Sequence, residues 1–316
     1  MSHPSSATPA LLAALLLAVS ACAPDQLAGD AASPAAARQA GGGVHIVTSV
    51  FALASLAQRV APGAQVELLS VGGGDPHAMA LTAGQRAAIA EADVVLHTGD
   101  IGFQPHVEQA VAAADGEVVS ITEEVSHDAL RQLATGDGHD ALDPHVWLSP
   151  SHMTGVARAI ATATKAAGGA PNKALTDNAA TLAGELTALE GEIERLLTGC
   201  AHRTALVDHE AWGYLLAPRG VTQRGISGAG GHGRAGPRRL AELADLIESQ
   251  QLPGVFAQAG RARGSAAALA AEADVTRFEV DPLVIPDDPD AWLRRGYQKL
   301  LTAQAATFAD GLACRR

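Results

Sequence analysis

The stretch that settles the architecture is Pro171–Gly199, PNKALTDNAATLAGELTALEGEIERLLTG. Its apolar residues Leu175, Leu182, Leu186, Leu189, Ile193, Leu196 and Leu197 recur in steps of seven, four, three, four, three and one. That spacing lines one face of a helix. Pro171 suits a first-turn position and Gly199 a stop. At the rise of an α-helix the segment spans roughly 40 Å, enough to run along two folded units as a stiff spine. A coiled-coil dimer segment is the other reading of such a stripe. A single amphipathic stretch between two α/β units packs more simply across both.

Short β-type runs alternate with Ala-rich helical stretches on either side. Strands are expected at Val44–Val50, Gln65–Val71, Asp93–Thr98 and Glu117–Ile121, then at Thr204–Asp208, Gly220–Ile226, Gly254–Ala257 and Val275–Val280. Helices are expected at Leu53–Ala61, Thr82–Ala92, Gln104–Ala114, Arg238–Gln250 and Ser265–Ala273. Strand–helix alternation implies parallel sheets with helices on both faces. The expected fold is α/β: two parallel-sheet lobes of about four strands each, residues 44–170 and 200–316, joined by one long rigid helix over 171–199.

The 316 residues are 47% hydrophobic but only 3% aromatic, so the cores must be rich in Ala, Val, Leu and Ile. The net charge of −12 argues against a nucleic-acid partner, whose phosphates need a basic face. Leu11–Val19, LLAALLLAV, has the length of a signal-peptide core and is too short to span a bilayer. Ser20-Ala21-Cys22 then resembles the lipobox of bacterial lipoproteins, which implies cleavage before Cys22 and lipid on its sulfur. The preceding MSHPSSATPA lacks the usual Lys or Arg, and an ordinary cleaved signal peptide is the alternative. Residues 23–43 are Ala/Gly/Pro/Asp-rich and aperiodic, the composition of a flexible tether. Cys200 and Cys314 form an even pair in an oxidising compartment, as a disulfide or as two small buried thiols.

Two tripeptides raise the question of chemistry. Asp75-Pro76-His77 and Asp143-Pro144-His145 place an imidazole behind the same rigid step. Ligands of open α/β sheets bind beyond the carboxyl ends of strands. His77 follows Gln65–Val71 through a glycine turn, and His209 ends Thr204–Asp208 in ALVDHEAWGYL. His145 precedes the helix opened by Ser149-Pro150, and Asp281 ends the last strand in FEVDPLV. Three imidazoles and a carboxylate, two from each lobe, compose a tetrahedral N3O set of the kind zinc takes. The other histidines read as surface or satisfied polar residues; His139 in GDGHD is a loop histidine. Gly72-Gly73-Gly74 is a poor phosphate cradle beside Asp75, and no serine elbow or Cys-His nucleophile is present.

The chain resembles the zinc/manganese solute-binding proteins of ABC importers, the ZnuA-like and TroA-like group. The blocks that carry the likeness are VTSVFALASLAQRV, GGGDPHAMALT, ADVVLHTGD, DPHVWLSP, VDHEAWGYL and the final VDPL. The resemblance implies two lobes on a rigid helix with one metal between them, held by His77, His145, His209 and Asp281. His209 stands where manganese members often carry glutamate, and the nitrogen-rich set favours Zn2+ over Mn2+. The second lobe reads VFAQAG, with Gln258 where members often carry glutamate, so the carboxylate role falls to Asp281. The loop Ser227–Pro237, SGAGGHGRAGP, holds His232 and reads either as a mobile flap near the cleft or as a surface connection.

The function implied is capture of Zn2+ outside the cytoplasm and delivery to an ABC permease, by a monomer anchored to the outer face of the cytoplasmic membrane through Cys22, or soluble in the periplasm. It is not an enzyme on this reading. Binding should weaken as pH falls through about 6.5, where imidazole takes up a proton. A zinc hydrolase using Glu210 as base, or a surface adhesin of the same fold, are the alternatives.

Overall fold

A computed structural model describes residues 43–69, 77, 79–134, 140–169, 171–227, 234–260, 264–286 and 288–315. The signal segment, Cys22, nearly all of the tether, Gly72-Gly73-Gly74, His139 and His232 lie outside the described residues.

The first lobe runs β1 (His45–Thr48), α1 (Phe51–Val60), β2 (Gln65–Leu68), α2 (Ala83–Ala90), β3 (Val94–His97), α3 (Pro105–Val111) and β4 (Glu117–Ser120). After it come a small antiparallel hairpin, β5 (Gln132–Ala134) and β6 (Asp140–Leu142), and helix α4 (Pro150–Ala166). Helix α5 (Asn172–Leu196) follows. The second lobe contains β7 (Thr204–Val207), α6 (Gly213–Leu216), β8 (Thr222–Gly225), α7 (Pro237–Gln250), β9 (Gly254–Gln258), α8 (Ser265–Glu272) and β10 (Thr276–Val280). Two more helices close the chain, α9 (Pro289–Arg295) and α10 (Tyr297–Gly311).

Both main sheets are parallel, in the orders β2-β1-β3-β4 and β10-β9-β7-β8. The second is the first repeated: each lobe's opening strand is central, with its next strand on one side and the later two on the other. The order therefore reverses beside β1 and beside β7, which opens a crevice at their carboxyl ends. Central strands β1 and β3 are buried along their whole length, whereas the edge strand β2 alternates between exposed and half-buried. Strands covered by helices on both faces read as continuous apolar runs, which is why VVLH was legible as β3.

Helix α5, 25 residues and so roughly 37 Å long, buries Leu175, Ala179, Leu182, Leu186, Leu189 and Ile193. One apolar cluster continues from α1 through α5 into α10, and it holds all three tryptophans, both tyrosines and all five phenylalanines. The scarce aromatics are thus spent at the junction, while the satellite cores are aliphatic. Two carboxylates of α5 tie both lobes. Glu185 accepts Arg59 of α1 at 2.7 and 2.8 Å and Gln298 of α10 at 3.1 Å. Glu190 pairs with Arg219 beyond α6 and accepts the Ser151 backbone N–H of α4 at 3.3 Å.

Hydrogen bonds also stitch the lobes along the crevice. The Phe51 N–H donates to the Val284 carbonyl and the Trp147 indole N–H to the Pro282 carbonyl, both at 2.7 Å. Tyr297 donates its hydroxyl to the Trp147 carbonyl at 2.6 Å and its N–H to Ser55 Oγ at 3.1 Å. The lobes are thus joined by one core and by hydrogen bonds at the crevice, contacts that a wide separation of the two would have to break.

Cys200 and Cys314 form a disulfide, which settles the open pairing. Beside it the Ala201 and His202 N–H groups donate to the Ala313 and Leu312 carbonyls at 3.2 and 3.1 Å. The bridge closes a separation of 114 residues, and constraint of so long a loop in the unfolded chain supports about 2–4 kcal/mol. Replacing both cysteines by serine should lower urea-unfolding stability by about that amount. A loss under about 0.5 kcal/mol would mean the backbone bonds alone hold the terminus.

Candidate metal centre

The carboxyl end of each sheet delivers donors to the crevice. His145 stands in the turn between β6 and α4 and is 1% exposed. Asp143, equally buried, accepts both the His145 backbone N–H at 3.0 Å and the ring Nδ1 at 2.8 Å. The Asp-Pro-His step therefore folds the carboxylate back onto its own imidazole. With the Nδ1 proton held by Asp143, the lone pair is on Nε2, and that buried atom has no hydrogen-bond partner among the described residues. A carboxylate on the far nitrogen is the arrangement that fixes tautomer and raises basicity in metal-ligating histidines. Tyr214 of the second lobe secures the turn: its hydroxyl donates to the Asp143 carbonyl at 3.1 Å and accepts the Arg131 N–H at 2.9 Å. Burial pushes the Tyr214 phenol up to about 12, so it stays a donor throughout the physiological range.

His209 enters from the other lobe just past β7. The preceding residue, Asp208, is buried and accepts the Gln258 N–H at 2.8 Å and the Ala266 N–H at 3.1 Å. It thereby locks the ends of β7 and β9 to the first turn of α8. His77, half-buried, packs against Phe103 with ring centroids 4.7 Å apart at 81°. Trp147 lies 5.3 Å from the His145 ring and 5.6 Å from Phe103, completing an aromatic wall on that side.

His77, His145 and His209 each bring a ring nitrogen within 4.8 Å of the others, and their ring centroids stand 5.5–6.1 Å apart. Nitrogens bound tetrahedrally to one zinc ion stand roughly 3.3 Å apart, so small rotamer adjustments suffice. Asp281 lies outside this group of three. It ends β10 with its Oδ1 on the Leu283 N–H at 2.8 Å and its own N–H on Gln304 Oε1 at 2.8 Å. The Trp147–Pro282 hydrogen bond nevertheless joins its chain neighbour to the segment carrying His145.

Glu210, the base a hydrolase would need, has its Oε1 on the Gly225 N–H at 2.9 Å and is directed toward β8. Sequence reasoning named no partner for the imidazoles. Asp143 was visible two residues before His145, but nothing in the sequence showed that a proline step would turn it back. The wall of Phe103 and Trp147 and the clamp of Asp208 depend on contacts across the fold.

A different histidine has an acid liability. His97, buried at the end of β3, is held below the ordinary imidazole value of 6.5 by desolvation, against the partly compensating charges of Asp100, Glu108 and Glu123. The folded state disfavours its proton, so its contribution to stability is present above 6.5 and lost as pH falls below it. His97→Gln should flatten the decline in melting temperature between pH 7 and 5. An unchanged slope would assign that decline to other groups, among them His152, which burial also lowers.

Two parallel-sheet lobes on one spine, with imidazoles from both meeting in the crevice, define a two-lobed solute-binding protein. The chain belongs to the family described as zinc-uptake complex component A periplasmic (ZnuA), whose model matches residues 46–311. That family is one of solute-binding proteins rather than enzymes. The zinc-binding lipoprotein AdcA of Streptococcus pneumoniae is 26% identical over 258 residues, 78% of this chain and 51% of AdcA. The chain thus spans about half the length of the curated relatives it matches first. The crystal structure of the Zn(II)-bound ZnuA-like domain of that AdcA aligns with a TM-score of 0.71 at 23% identity, covering 86% of this chain and 99% of the domain. The periplasmic zinc-binding protein TroA from Treponema pallidum aligns with a TM-score of 0.75 at 21% identity, covering 87% and 100%. At such identities these structures speak to the fold alone.

Proposed function

We propose that this protein captures Zn2+ outside the cytoplasm and delivers it to the membrane permease of an ABC importer. The observation that carries the reading is the convergence of three ring nitrogens from two lobes within 4.8 Å, together with a buried His145 Nε2 that has no hydrogen-bond partner among the described residues. His77, His145 and His209 hold the ion, and Asp281 supplies the fourth donor from the end of β10. Trp147 supports that role by pinning Pro282 beside the His145 turn. Three imidazoles favour zinc over manganese. In this reading residues 1–22 are the export segment with a lipid-bearing Cys22, 23–43 the tether, and 44–170 and 200–316 the lobes of a monomer on either side of 171–199.

The shared core makes wholesale lobe opening expensive, so release proceeds by withdrawal of a single imidazole, that of His77, the half-buried ligand of the first lobe. The test is to strip the purified protein of metal, refill it from an equimolar Zn2+/Mn2+ mixture and count ions per chain. One zinc per chain with little manganese supports the assignment; equal retention of both ions overturns it.

A further inference from the structure

We propose a second binding site, for a small organic polyanion bearing phosphate or carboxylate groups, in a cavity at the junction of α1, α5 and α9–α10. The cavity measures about 860 Å³ and lies away from the histidines; small-molecule sites run from about 300 to 1,000 Å³. Its lining includes Arg59, Arg195, Arg294, Arg295 and Lys299 against two carboxylates, Glu185 and Glu192. Glu185 is already matched by Arg59 and Gln298. Arg195, Arg294, Arg295 and Lys299 make no ion pair with any described residue. They stand exposed around the cavity in a protein whose formal charge is −12.

Guanidinium forks bind carboxylate and phosphate bidentately, and a concave wall of net positive charge concentrates anions. The start of α10, where Gly296, Gln298 and Lys299 line the cavity, adds a positive helix end, and Arg195, Arg294 and Arg295 more than offset the negative ends of α5 and α9 that also reach it. Leu189 and Leu293 supply an apolar floor suited to the carbon skeleton of an organic anion. The three elements come from the first lobe, the spine and the C-terminal helices, so a ligand here would brace the junction.

The test is calorimetric titration of the metal-free full chain, dialysed free of chelator, with inorganic pyrophosphate and separately with citrate at matched ionic strength. Binding should saturate near one per chain. Arg294→Ser/Arg295→Ser and, separately, Lys299→Ala should weaken it at least tenfold, whereas Arg238→Ser on exposed α7 should not. Cooperative melting of each variant without ligand verifies its fold. No saturable binding to either anion, or equal binding by all variants, would overturn the proposal. Its outcome is independent of whether the histidines hold zinc.

Discussion

His145→Ala should weaken Zn2+ binding by well over 100-fold, with the melting temperature of the metal-free protein changed far less. The ring's orientation is fixed by Asp143 on Nδ1, by Trp147 packed edge-on at 5.3 Å, and by burial around both. Loss of a partner behind a metal ligand weakens affinity about 10–100-fold, and loss of the ligand itself should exceed that. Asp143→Asn supplies the comparison. It keeps shape and burial but replaces the carboxylate acceptor with an amide, so the expected loss is about 10–100-fold, between wild type and His145→Ala. Competition against a chromogenic zinc chelator measures all three. If Asp143→Asn bound as tightly as wild type, the carboxylate would merely shape the turn. If His145→Ala did so, His145 would not be a ligand.

Glu190→Ala should destabilise the protein by about 3 kcal/mol. The Arg219 side chain is 2% exposed, and its charge is balanced by Glu190 and Glu194, with the Leu215 carbonyl accepting from it at 2.8 Å. Stripping a buried charge of its partner costs about 3–5 kcal/mol. The lower end applies because Glu194 remains 3.2 Å from Nε, close enough to attract but without hydrogen-bond geometry. Arg219→Met should recover part of the loss in the Glu190→Ala background, since no uncompensated charge then remains. Lys173→Ala, which removes an exposed pair on the same helix, should change stability by less than about 0.5 kcal/mol. Urea unfolding distinguishes these outcomes. A Glu190→Ala loss no larger than that of Lys173→Ala would mean the spine is held by its apolar face alone.

Much of this architecture was legible because it rests on local patterns. The heptad-like stripe from Leu175 to Ile193 is the buried face of α5, and all eight expected strands form, seven of them shorter than expected and the one at Gly254 extended to Gln258. The hairpin β5–β6 escaped notice because three-residue strands have no period to read. Helices α9 and α10 were not anticipated either. Their positions are set by distant partners: Trp292 packs edge-on against Phe51 at 5.1 Å, and Tyr297 reaches back to Ser55 and Trp147. At the metal centre, the repeated Asp-Pro-His and the placement of His209 behind a strand pointed to the imidazoles. What no one-dimensional pattern could supply was the distance between lobes, which the shared aromatic core sets.

The most direct test of the account is X-ray absorption at the zinc edge on protein loaded with one equivalent of Zn2+, read alongside His77→Ala, His145→Ala, His209→Ala and Asp281→Ala. The account predicts four light donors near 2.0–2.1 Å, three with imidazole scattering, with one imidazole lost in each histidine variant and none in Asp281→Ala. A zinc shell with fewer than two imidazoles, or one unchanged by all four substitutions, would contradict it.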